Sequence, residues 1–172
     1  MLFRSLSKFL MEIADLVRRT IPENISVTLT TEPAMPVCEV DTGELQNALL
    51  NLISNARDAM PAGGTLTLKC GAVDLTDGRA PPGSDLAPGC YVAIAVTDTG
   101  SGMAPEIAAQ AFQPFFTTKD VGKGSGLGLS MVFGFAKASN GHVEIRSRPG
   151  HGTTVILYLP AMASGADSRS EE

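Results

Sequence analysis

Apolar residues recur along this chain at helical spacing in some stretches and at every second position in others. Leu2, Leu6, Phe9, Leu10, Ile13, Leu16 and Val17 fall at helical spacing and predict an amphipathic helix over 2–19, which Pro22 ends. Ile25, Val27 and Leu29 alternate with Ser26, Thr28 and Thr30, the pattern of a strand, and a second short strand is expected at 37–40, after Pro33 and Pro36. Asp41 followed by Glu44 is a capping-box signature that opens a helix over 42–59, stopped by Pro61, Gly63 and Gly64. Strands are expected at 65–72 and 91–98, separated by a Pro-, Gly- and Asp-rich loop at 77–89. A short helix over 105–112 precedes a polar glycine-containing loop at 115–125 and a helix over 127–139, ended by Asn140-Gly141. Strands at 142–147 and 153–159 flank the turn Pro149-Gly150, and the small polar tail 163–172 is expected to be disordered. A closing hairpin means antiparallel pairing. The sum predicts an α+β two-layer sandwich, a mixed, mostly antiparallel sheet with helices on one face.

Composition narrows what such a domain can bind. The 172 residues are 44% hydrophobic and 18% charged, which suits a globular domain rather than a disordered chain. A net charge of −5 with no basic block disfavours nucleic acid. An anionic ligand would then need a local arrangement of backbone N–H groups, lysines or a metal ion. Cys38, Cys70 and Cys90 are odd in number and form no C-x-x-C, so they read as small buried hydrophobes of a reducing, cytoplasmic setting. Arg4 breaks the apolar start, so no signal peptide is expected. No apolar run approaches the ~18 residues of a membrane span, so no membrane contact by this chain is expected.

Four stretches carry candidate chemistry. On the 42–59 helix, Glu44, Asn47, Asn51, Asn55 and Asp58 stack on one side, opposite Leu45, Ala48, Leu49, Leu52, Ile53 and Ala56. Asparagine is a poor helix former, and amide oxygens in a row suit a hard cation as well as a solvated face. Asp98 continues the apolar row Val92, Ile94, Val96 into the turn Thr99-Gly100-Ser101-Gly102, either to accept from a ligand donor such as an adenine amino group or to cap its own turn. Gly122-Lys123-Gly124-Ser125-Gly126-Leu127-Gly128-Leu129 runs into a helix and can offer amides to phosphate, or serve as a linker. It fits neither the P-loop nor the G-x-G-x-x-G spacing. Phe112-Gln113-Pro114-Phe115-Phe116-Thr117-Thr118-Lys119 reads as a lid with aromatic anchors, or as core.

In this order the motifs resemble a known family. Asn51-Leu52-Ile53-Ser54-Asn55-Ala56 is similar to the N box of the sensor histidine kinases, and Asp98 to Gly102 to their G1 box. Residues 112–119 resemble the F box, residues 122–129 the G2 box, and Gly150-His151-Gly152-Thr153-Thr154 the glycine-threonine motif that closes the domain. The resemblance covers about residues 21–160, and 55–60 with 115–119 look most like the nitrogen-regulatory and hybrid types. It implies the Bergerat-type fold shared by histidine kinases, gyrase, Hsp90 and MutL, with ATP and Mg²⁺ as cofactors. It further implies that Asn55 holds Mg²⁺ with Asn51 as second polar partner, the two forming the catalytic pair. Asp98 would accept from the adenine amino group, with Gly100, Gly102 and Met103 lining the base pocket and Thr153 supporting it. Gly124, Ser125, Gly126, Leu127 and Gly128 would offer amides to the phosphates, with Lys119 and Lys123 as lid cations and Asp58 and Phe115 beside the nucleotide.

Two departures shape the expected activity. No histidine precedes His142, and His142 and His151 both read as structural or exposed, so the phosphoacceptor lies outside this chain. The expected partners are a histidine-bearing dimerisation domain of the same kinase and a response-regulator receiver domain, with residues 1–20 the end of the missing hairpin, 21–160 the kinase domain and 161–172 a tail. ATP-hydrolysing relatives carry a glutamate four residues before the metal asparagine, whereas Asn51 stands there and cannot take a proton from water. Glu44 lies about 16 Å along the helix from Asn55. Slow or absent hydrolysis follows. A free-standing anti-sigma-type serine kinase and a nucleotide-sensing module without transfer are the alternatives.

Overall fold

The computed structural model describes residues 2–3, 6–76, 78–113 and 128–162. Strand β1 (Leu2–Phe3) leads to helix α1 (Leu6–Thr20), strand β2 (Ile25–Thr31), strand β3 (Cys38–Glu39) and helix α2 (Thr42–Asp58). Strands β4 (Gly64–Asp74) and β5 (Cys90–Asp98) follow, then helices α3 (Pro105–Gln110) and α4 (Gly128–Ala138) and the hairpin β6 (His142–Ser147) and β7 (Thr153–Pro160). The main sheet has the order β2-β4-β5-β7-β6, parallel only between β2 and β4. This is the mixed, mostly antiparallel sheet that the pattern predicts.

The first helix starts at Leu6 rather than at residue 2. Leu2–Phe3 instead pairs antiparallel with Cys38–Glu39, which gives backbone groups a partner where a helix start would leave N–H groups orphaned. Helix α1 buries Leu6, Leu10, Ile13, Ala14 and Val17 in the same core as the sheet, and leaves Leu16 exposed on the edge of its apolar stripe. The cap of α2 is as expected: the Asp41 carboxylate accepts from the Glu44 amide at 3.0 Å. Its buried set is Leu45, Ala48, Leu49, Leu52, Ile53 and Ala56, so the polar stripe is the outward face. Emptying one of these leucine sites to alanine costs about 2–5 kcal/mol. Asn140, in the left-handed region at φ 59°, ends α4, and the Gly141 amide closes on the Ala136 carbonyl at 2.7 Å.

Leu66, Leu68, Val92, Ile94, Val96, Leu157 and Leu159 face the helices and form the core with them. The opposite face of the sheet carries a smaller cluster, Leu75, Tyr91, Ile156 and Tyr158. The Tyr91 hydroxyl donates to the Ala87 carbonyl at 2.6 Å, which ties the 78–89 loop down over this cluster. Cys38 and Cys70 are buried as expected, and burial pushes their thiols up to about 11 and about 12. Cys90 is exposed, because it starts β5 at the rim of the sheet. Among the described residues, no helix is long and apolar enough to cross a membrane.

Candidate functional site

The site is built where the last residue of β5 meets the hairpin. Asp98 pairs with Thr153 of β7, and Thr153 with Ser147 of β6, so three polar side chains form one row across the helix-facing side of the sheet. Period-two alternation puts Asp98 there, in line with Val92, Ile94 and Val96. Only 7% of Asp98 is exposed. Burial raises its carboxyl above the usual aspartate range, opposed by hydrogen bonds from the Gly100 and Thr153 amides. The Gly100 bond is 2.8 Å, so Asp98 does cap its own turn. The two amide bonds leave acceptor capacity on the carboxylate for a further donor.

The loop after Asp98 is held from three sides. The Ser101 amide donates to the Ala59 carbonyl at the end of α2 at 3.1 Å, and the Gly150 amide donates to the Ser101 carbonyl at 2.7 Å. The Thr65 amide donates to the Thr99 hydroxyl at 3.0 Å, and the Met103 amide to the Ser147 hydroxyl at 2.7 Å. Three glycines permit this closeness. A side chain at Gly102, at φ 70°, would strike the Arg148 carbonyl, and one at Gly152, at φ 77°, would strike the Asp98 carbonyl. A side chain at Gly100 would strike the Ala59 carbonyl. Ser147 also bonds the Gly152 carbonyl at 3.1 Å and the Thr153 hydroxyl at 2.7 Å. The motifs do not single out Ser147. Counting back from Thr153 through the Pro149-Gly150 turn would have found it, because the hairpin register sets the two opposite each other.

The second part of the site lies on α2. Asn51 and Asn55 are half-buried, Asp58 is exposed, and α2 packs against α4. Gly128, the first residue of α4, stands over the stripe: a Cβ there would lie 3.8 Å from Asn55 Nδ2 and 4.0 Å from the Asn51 side chain. The structure thus brings the end of the glycine motif onto the two asparagines. Phe115, Lys119, Lys123, Gly124, Ser125, Gly126 and Leu127 lie outside the described residues. Among the described residues, no group of three His, Cys, Asp or Glu side chains could hold a metal ion. A cation here would rest on amide oxygens and ligand phosphates, a donor set that suits Mg²⁺. His151 is exposed, and His142 is 9% exposed on β6 with Nδ1 unpartnered among the described residues.

Known proteins are similar to this chain in sequence and fold. Residues 40–163 match the family described as Histidine kinase-, DNA gyrase B-, and HSP90-like ATPase. The chain is 37% identical over 157 residues to the sensor kinase CckA of Brucella abortus (strain 2308), covering 91% of this chain and 17% of that protein. It is 33% identical over 148 residues to the sensor histidine kinase ZraS of Klebsiella oxytoca, covering 84% of this chain and 28% of that protein. It superposes on the nucleotide-free catalytic domain of the histidine kinase ThkA with a TM-score of 0.72 at 25% identity, over 94% and 95% of the two chains. It also superposes on full-length ShkA in complex with AMPPNP, with a TM-score of 0.71 at 28% identity, over 92% of this chain and 30% of that one. The chain therefore spans less than a third of these two curated relatives. It belongs to the family of histidine kinase-, DNA gyrase B- and HSP90-like ATPases, and within it is a catalytic ATP-binding domain of the sensor histidine kinase type.

Proposed function

We propose that this domain binds Mg-ATP and presents the γ-phosphoryl group to a histidine outside the chain. The observation that carries the reading is the buried Asp98 carboxylate, set in one row with Thr153 and flanked by a loop that glycines hold close to the hairpin. A carboxylate so placed keeps an acceptor for the adenine amino group, with Gly100, Gly102 and Met103 forming the wall of the base pocket. Asn55, with Asn51 beside it, would hold the cation through its amide oxygen, and the Gly128 end of α4 brings the glycine motif to the phosphates. Asp58, Lys119, Lys123 and the segment 124–127 complete the proposed contacts by position in the motifs. Bound Mg²⁺ supplies charge neutralisation of the phosphates.

The chain's own residues position rather than activate. Asn51 cannot act as a base toward water, so the domain orients ATP and leaves the nucleophile to a second segment. The proposed partners are a histidine-bearing dimerisation domain of the same kinase and the receiver domain of a response regulator, the roles that the sensor-kinase relatives suggest. Incubation of the chain with labelled ATP and a separately produced hairpin of its parent kinase tests this. Acid-labile, base-stable label on the hairpin histidine is the expected result. Tight ATP binding with no transfer would leave the domain a nucleotide sensor.

A further inference from the structure

We propose that Ser147 is a positioning residue of the nucleotide pocket: its hydroxyl fixes the Met103 amide and turns the Thr153 hydroxyl into an acceptor beside Asp98, which sets the preference for a purine with an amino rather than an oxo group at its six-position. The inference rests on the adenine-pocket reading and adds to it a residue outside the five motifs.

A serine hydroxyl has one proton to donate and two lone pairs to accept with. Ser147 Oγ has three partners: the Met103 amide at 2.7 Å, the Gly152 carbonyl at 3.1 Å and Thr153 Oγ1 at 2.7 Å. The amide can only donate and the carbonyl can only accept. The Ser147 proton therefore goes to the Gly152 carbonyl, and the Thr153 hydroxyl donates to Ser147. In the reverse sense the Gly152 carbonyl would lose the proton aimed at it. Every valence of Ser147 is then used, and the Thr153 proton is committed.

What remains on Thr153 Oγ1 is acceptor capacity alone. Thr153 stands opposite Asp98 in the β5–β7 register, and its amide donates to the Asp98 carboxylate. The polar end of the pocket thus offers two acceptors side by side. Adenine brings an amino group to such a site. Guanine brings an oxo group at the same ring position, which faces the acceptors with no proton between them, and sites built in this way reject the mismatched analogue strongly.

The test is calorimetric titration of the whole chain with Mg-ATP and Mg-GTP, in wild type, Ser147→Ala, Ser147→Thr and Asp98→Asn, with thermal melts of each. Removing the hydroxyl strands the Met103 amide and frees the Thr153 proton. Ser147→Ala is expected to bind ATP about tenfold more weakly, ~1.4 kcal/mol. Its ATP-to-GTP ratio is expected to narrow, because Thr153 can now donate. Ser147→Thr keeps the hydroxyl and restores both affinity and ratio. If Ser147→Ala fails to fold, Ser147→Cys, a weak acceptor, carries the same expectations. Wild-type affinity and ratio in the alanine variant would overturn the inference. So would equal weakening in the alanine and threonine variants with the ratio unchanged, the signature of a packing role. Loss of ATP binding in Asp98→Asn alone would sink this inference and keep the pocket. No ATP binding by the folded wild type would sink both.

Discussion

At the β5 end of the site backbone closes on backbone, whereas on α2 side chains face a glycine at ordinary contact distance. Gly102 and Gly152 sit at positive φ with a neighbouring carbonyl where a Cβ would go. Gly128 has 3.8 Å of room before Asn55. The base end is therefore a fixed mould, whose shape depends on residues that lack a side chain. The asparagine end is an adjustable surface, whose chemistry depends on two amides. Damage at the first should be steric and reach the fold. Damage at the second should be chemical and reach only the cation-dependent part of binding.

The largest expected effect is at Gly152. Gly152→Ala combines strain at φ 77° with a collision against the Asp98 carbonyl, and should cost at least about 3 kcal/mol in a denaturant melt. A melt like that of the wild type would show that the mould can give. Next comes Asp98→Asn, which should lower ATP affinity about 10- to 100-fold while leaving the fold intact.

The same variant carries a pH signature. Burial raises the Asp98 carboxyl in the folded state, so the folded protein holds that proton to a higher pH than the unfolded chain. The stability that Asp98 contributes is complete below its unfolded pKa and is lost as pH rises through the folded one. Thermal melts should therefore shift in favour of Asp98→Asn between pH 4 and pH 7. A constant difference across that range would mean the carboxylate is not held in a desolvated position.

Asn55→Ala sharpens the comparison from the other end. It should weaken Mg-ATP binding about tenfold yet leave adenosine binding without magnesium unchanged, measured by competition. Equal losses for both ligands would mean that the two ends are one mechanical unit. The smallest effect is expected at Gly134, mid-helix in α4, whose would-be side chain meets no atom within 4 Å beyond its own helix backbone among the described residues. Gly134→Ala should stabilise the domain by about 0.5–1 kcal/mol and leave nucleotide affinity alone.

Different parts of this arrangement were legible in the sequence for different reasons. The alternation from Val92 to Asp98 and the stripe on α2 are local periodicities, and both faces came out as the pattern predicts. The Asn140-Gly141 stop is legible because left-handed backbone restricts which residues can stand there. The start of α1 is not legible because Leu2 fits the helical stripe, while the pairing of Leu2–Phe3 with Cys38–Glu39 spans residues far apart in the chain. Ser147 is not legible for a related reason. A lone serine in a strand carries no signal until the register sets it against Thr153 and the loop brings the Met103 amide to it. Conversely, no spacing in the sequence joins the asparagine stripe to the glycine motif, which only the family resemblance places in one site, and the packing of α4 on α2 joins them at Gly128.

The measurement that bears most directly on the central claim is calorimetric titration of Mg-ATP into the wild type and Asp98→Asn, with Mg-GTP as control. The account predicts micromolar to sub-millimolar ATP binding, strong preference over GTP, and ATP binding about 10- to 100-fold weaker in the variant. A folded wild type that binds neither nucleotide, or binds both equally with Asp98→Asn unaffected, would contradict it.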